Sequence, residues 1–146
     1  MNKKISMALE SYLEKIAELQ TEFGVVNSSV LAERMGCKRS SVTSALRRLA
    51  EKGLINYQAY KPVTLTKEGL DTIERLDTFH NVLAQFFTEV LNIQEDFSQQ
   101  EACRLEHRIS KAVVERIVLY LEFKRKNENF DSEKNEFKKF IKKNFK

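Results

Sequence analysis

Apolar residues recur at helical spacing almost from the start of the chain. Leu9, Tyr12, Leu13, Ile16, Leu19 and Phe23 share one face of a 3.6-residue period, Ser6 precedes them as a cap, and Gly24 follows as a left-handed stop. The pattern predicts a helix over Ser6–Phe23, a shorter one over about Ser28–Met35 and a third over about Ser40–Lys52. Gly36, Cys37 and Lys38 lie between the last two. That pair has helix-turn-helix spacing: Ala32 is small where two helices cross, Gly36 can take the turn, and Val42 packs the second helix inward. Two short alternating runs follow, Leu54–Tyr57 and Val63–Leu65, around a tip at Ala59-Tyr60-Lys61-Pro62. A hairpin placed there is a wing.

Beyond Thr66, a candidate cap, Leu70, Ile73, Leu76, Phe79, Leu83, Phe86, Phe87 and Val90 predict a long amphipathic helix from about Lys67 to about Leu91. After a break near Asn92, helices are expected over Gln99–His107, from Ser110 onward (Val113, Ile117, Tyr120, Leu121) and from about Asp131. The fold class is therefore mainly α. A winged helix-turn-helix over residues 1–66 carries a two-stranded wing, and a helical domain over 67–146 ends in a basic helix. The later helices hold more apolar surface than so small a bundle can hide, which makes a homodimer the expectation.

Composition fits this picture and charge adds to it. The chain has 146 residues, one Pro and four Gly, too few turn formers for an all-β fold. No apolar run is long enough to span a membrane, and "MNKKISMALESYLEK" lacks a signal-peptide core, so a cytoplasmic protein with no membrane partner is expected. Two cysteines there do not make a disulfide framework. From Gly24 to Gly69 eight Lys/Arg face three Asp/Glu, whereas from Leu70 to His107 two face eight. A basic part followed by an acidic part suggests a polyanion reader joined to a cation-binding region.

The exposed side of the third helix carries Ser40, Ser41, Thr43, Ser44 and Arg47, with Lys38 and Arg39 at its start. Short hydroxyls bond base edges or phosphates and cations neutralise phosphates, so this face suits the major groove of double-stranded DNA. Tyr60 and Lys61 at the wing tip can reach the backbone. A reader with one recognition helix covers a palindromic operator as a dimer.

The second cluster is "EACRLEH". On a helix Cys103, Glu106 and His107 are i, i+3 and i+4 and share a face. Three readings compete: structural neighbours, a nucleophilic Cys-His pair, or half of a metal site. The chain shows no oxyanion-forming Gly-rich turn and no third group orienting the imidazole, so no enzyme is expected. A transition metal needs four to six ligands. His80, and Glu14 with Ser11 three residues apart on the first helix, are candidates to complete the set.

These blocks resemble the diphtheria-toxin-repressor family of metal-dependent transcriptional regulators, which includes iron-dependent and manganese-transport regulators. The resemblance runs through "ALESYLEKIAEL", "VLAERMGCKRSSVTSALRRLAEKGLINYQAYKPVTLTKEGL" and "EACRLEHRIS", in the two-domain form without an SH3-like domain. It implies a repressor of iron or manganese homeostasis in which a divalent metal promotes operator binding. It also implies ligands at Glu14, His80, Cys103, Glu106 and His107. Ser11 stands where iron-type members have Met and manganese-type members Asp, and matches neither. Ala84 and Gln99 replace the carboxylate and imidazole of a second site, which is therefore expected to be absent. Pro62 replaces the usual Gly of the wing tip. The Cys103 thiolate favours Fe(II), Co(II), Ni(II) or Zn(II) over Mn(II), which prefers oxygen; availability in a reducing cytosol puts Fe(II) first, with Mn(II) second. A rival keeps the winged-helix dimer but senses redox state or a small molecule through Cys37 or Cys103. Another is a metal-buffering protein with no DNA role.

Overall fold

In the computed structural model, which describes residues 5–145, the first helix begins at its sequence cap. Ser6 Oγ accepts the Leu9 N–H at 3.4 Å, α1 runs Met7–Phe23, and Gly24 ends it at φ 72°. α2 (Ser28–Met35) stops at Gly36, φ 61°, where Cys37 N–H returns to the Ala32 carbonyl at 3.1 Å. α3 (Arg39–Glu51) starts one residue before the expected Ser40, with Lys38 in the cap position. It buries Val42, Ala45, Leu46 and Leu49, the face its periodicity assigned.

The wing is a short antiparallel hairpin of β1 (Ile55–Asn56) and β2 (Thr64–Leu65), with Ile55 opposite Leu65 and Asn56 opposite Thr64. Its return arm is held from the other side as well, because Val63 N–H donates to the Val26 carbonyl at 2.7 Å. Thr66 joins the wing to α4 (Lys67–Gln85). Its hydroxyl donates to the Gly53 carbonyl at 2.7 Å and accepts the Gly69 N–H at 3.1 Å, and its own N–H reaches the Leu54 carbonyl at 3.1 Å. Gly69 is required by this crossing, since a Cβ there would lie 2.1 Å from the Leu54 oxygen. One core of Leu13, Ile16, Leu19, Leu31, Leu46 and Leu49, closed by Val26 and Val63, holds these elements together. At its edge the buried Glu10 accepts from Arg75 at 3.3 Å.

The chain divides into two compact units, Met1–Arg75 and Leu76–Lys146. Where the periodicity predicts one helix to Leu91, α4 gives way after Gln85 to a π-helical turn, Phe86–Val90, and Asn92 breaks the chain at φ 53°. α5 (Glu95–Leu105) begins four residues before the expected Gln99 and ends two before His107. Consequently Glu106 and His107 sit in the turn after the helix. α6 (Lys111–Arg125) is capped by Ser110, which accepts the Val113 N–H, and α7 runs Phe130–Asn144. Arg125 ties α6 to the π turn, donating to Glu89 at 2.8 Å and to Gln85 at 3.2 Å. Lys124 pairs with Glu133 and lies over the Phe130 ring.

Among the described residues this unit buries Leu76, Phe79, Leu83, Ala84, Ala102, Val114 and Leu121, and Phe87, Ile109 and Ile117 pack against the cluster of Leu83, Ala84 and Ala102. Phe97, Val113, Leu119, Phe123 and Phe140 remain exposed. On α7, Lys138, Lys139, Lys142 and Lys143 face solvent and Lys134 is half-buried, while Lys146 lies outside the described residues. No helix among the described residues is long and apolar enough to cross a membrane.

Candidate DNA-reading surface and metal centre

Burying Val42, Ala45, Leu46 and Leu49 leaves the other side of α3 to solvent. Arg39, Ser40, Ser41, Ser44 and Arg47 are exposed there, as is Lys38 before the helix. Thr43 is half-buried and its hydroxyl donates to the Arg39 carbonyl at 3.0 Å, which leaves only its lone pairs for a partner. Arg48, which the sequence reading passed over, lines a groove with Ser40, Ser41, Ser44, Tyr12 and Ser6. Its spacing of four from Ser44 was the available signal. At the wing tip Lys61 N–H closes a turn on the Gln58 carbonyl at 3.1 Å. Tyr60 there is fully exposed and sits at φ 65°, a region bulky side chains rarely occupy.

Behind α3 the Tyr12 hydroxyl lies 3.2 Å from Cys37 Sγ. That hydrogen bond, with burial second, pushes the Tyr12 phenol up to about 12. Elsewhere on α1, Ser11 donates its hydroxyl to the Met7 carbonyl at 3.1 Å and Glu14 is half-buried.

In the second unit, α4 supplies His80 and the turn after α5 supplies Glu106 and His107. His80 Nδ1 lies 2.7 Å from Glu106 Oε2, and His107 Nε2 lies 3.5 Å from Glu106 Oε1. A carboxylate only 5% exposed thus has an imidazole nitrogen facing each oxygen. Burying a carboxylate is costly unless cations or donors surround it, and two imidazoles answer that need. The 2.7 Å contact requires a proton between its two atoms, which is where a divalent cation held by both would exchange for it. The N/O donor set fits a first-row divalent metal.

Cys103 differs from Glu106 and His107 in burial. It is exposed on α5, whereas Glu106, still in helical backbone at φ −53° with its N–H on the Ala102 carbonyl, is buried. Ala84, where a second site would need a carboxylate, is core. Gln99, the other replaced position of that second site, joins a chain of contacts with Glu95 and His80. His80 Nε2 lies 2.6 Å from Gln99 Oε1, and Gln99 Nε2 donates to Glu95 Oε1 at 2.9 Å. Their spacing of four was visible, but the helix was expected to begin at Gln99.

Comparison with known proteins places these features. The profile of the iron dependent repressor N-terminal DNA binding domain matches residues 4–63. That of the iron dependent repressor metal binding and dimerisation domain matches residues 66–133. An uncharacterized HTH-type transcriptional regulator, MJ0568 of Methanocaldococcus jannaschii, is 32% identical over 81% of this chain and 95% of its own. The transcriptional regulator MntR of Escherichia coli O6:H1 is 28% identical over 77% of this chain and 72% of its own. Among solved structures, a manganese-dependent transcriptional repressor in complex with manganese superposes with a TM-score of 0.66 at 32% identity. That match covers 79% of this chain but only 53% of the repressor's. A hypothetical protein of Sulfolobus solfataricus, SSo2273, shares the fold at a TM-score of 0.71 and 21% identity. With both domain profiles matched in order across 4–133, the chain belongs to the iron-dependent-repressor family of metal-dependent transcriptional regulators.

Proposed function

We propose that the protein is a cytoplasmic homodimeric repressor whose binding to a palindromic operator depends on a divalent metal, Fe(II) in first place and Mn(II) in second. His80, Glu106 and His107 supply imidazole and carboxylate donors, and Cys103 a thiolate. Glu14 is the further carboxylate that the family resemblance adds, and Ser11 contributes at most a backbone carbonyl or a water. Glu106 carries the proposal: a carboxylate buried between two imidazoles, inside the segment matched by a metal-binding domain. Bound there, a divalent ion supplies charge neutralisation. Without it, the buried carboxylate depends on a proton shared with His80.

Lys38, Arg39, Ser40, Ser41, Thr43, Ser44 and Arg47 read or position DNA, with Tyr60 and Lys61 touching the backbone from the wing. The exposed apolar side chains of α6, Val113, Leu119, Tyr120 and Phe123, supply a dimer interface. The metal acts as a switch by favouring the DNA-competent state, typically by about 1–3 kcal/mol in allosteric proteins. Metal content of anaerobically purified protein, followed by operator binding in chelator against added Fe(II) or Mn(II), tests this. Equal affinity in both conditions rules the switch out.

The Tyr12–Cys37 contact supports a second reading, a thiol-based sensor on the same winged helix. Peroxide-sensitive operator binding in metal-free protein would favour it.

A further inference from the structure

We infer that Gln99, oriented by Glu95, is a positioning residue that presents His80 Nδ1 as the metal-binding nitrogen; the inference rests on the metal-regulator reading above. Three contacts in series carry it. Glu95 and Gln99 are one helical turn apart on α5, and Glu95 Oε1 accepts the Gln99 amide N–H at 2.9 Å. A carboxylate cannot donate, so this contact fixes which end of the amide points where. The carbonyl end is left for His80, and Gln99 Oε1 stands 2.6 Å from His80 Nε2. An amide oxygen can only accept, so Nε2 carries the proton. The imidazole is then oriented with Nδ1 toward Glu106, 2.7 Å away.

This chain of contacts does two things. It removes the ring flip that would otherwise exchange the two nitrogens, so His80 meets a cation already aligned. Moreover, it commits Nε2 to a hydrogen bond, so His80 serves one ion and cannot bridge to another on its far side. The Gln99 side chain is solvent-exposed and outside the apolar core, so its replacement tests alignment and not folding.

The test is long-range ¹H–¹⁵N correlation of His80 in the full-length protein, without metal and with Zn(II), a diamagnetic probe. Nε2 is expected to be protonated in both states, with Nδ1 shifting on Zn(II) addition. Gln99→Leu and Glu95→Ala should each weaken Zn(II) binding, Gln99→Leu by about 10–100-fold. Gln99→Glu, which restores an acceptor, should recover most of the loss. Zn(II) on Nε2, or Gln99→Leu affinity within about twofold of the parent, overturns the assignment. If the parent protein binds no Zn(II) through His80, the metal reading itself fails. The clamp is then judged on the metal-free spectrum alone, where an unprotonated Nε2 refutes it.

Discussion

The Tyr12 hydroxyl and the Cys37 sulfur meet at 3.2 Å, joining α1 to the turn of the helix-turn-helix. The bond favours the neutral phenol and raises Tyr12 from 10.0 to about 12. A raised folded-state value gives stability that is fully present below pH about 10 and lost as the pH climbs through about 12. Denaturant melts should show the parent losing stability across that window by more than Tyr12→Phe. Ultraviolet titration should find one tyrosine ionising late. A Tyr12→Phe protein with the same alkaline profile as the parent would remove the bond from the account.

Gly69 holds α4 against the wing. Alanine there would put a methyl carbon 2.1 Å from the Leu54 carbonyl oxygen, a backbone atom that already accepts from Thr66. Forced overpacking of this kind costs about 1–3 kcal/mol. Urea unfolding of Gly69→Ala should show that loss; Gly53→Ala, with open space around it but φ 74°, offers a comparison of strain without collision.

Replacing Glu106 separates fold from metal. Glu106→Gln keeps the volume and an acceptor but removes the charge between the imidazoles. We expect it to fold and to lose divalent-metal affinity by at least about 100-fold, more than an outer-shell change. In the parent, calorimetry in buffers of different ionisation enthalpy should register protons released on metal binding, because a metal at the proposed site would displace the His80–Glu106 proton and the Cys103 thiol proton. An enthalpy independent of buffer would contradict the exchange.

On α3, Arg39→Ala and Arg47→Ala should weaken DNA binding across sequences and lower the slope of log affinity against log salt by about one each. Ser40→Ala and Ser44→Ala should instead blur discrimination between operators with little change in slope. Electrophoretic or fluorescence titrations at several salt concentrations distinguish the two kinds of contact.

Much of this was legible in the sequence where local rules act alone. The limits of α1 follow from Ser6 and Gly24, and the buried side of α3 follows from Val42, Ala45, Leu46 and Leu49. Legibility failed where the backbone changed pitch without a side-chain marker. Phe86 and Phe87 continue an apolar stripe, so the switch to a π turn after Gln85 leaves no trace in the period. The start of α5 was hidden because Glu95, Asp96 and Phe97 carry no apolar repeat, and with it went the Glu95–Gln99 pair. The end of α5 matters most. The helical period groups Cys103, Glu106 and His107 but does not tell that only the thiol among them is exposed, Glu106 keeping a helical backbone beyond Leu105.

Tyr60 offers a final consequence. Its backbone occupies a conformation that costs a non-glycine residue about 1 kcal/mol or more, and its ring touches nothing that would repay it. A glycine at 60 would relieve the strain and leave the hairpin intact. The tyrosine is therefore a debt the domain carries alone, and a winged helix selected only for thermal endurance would discard it. A contact of the aromatic ring with the DNA backbone, as proposed above, would set recognition against stability at this one position.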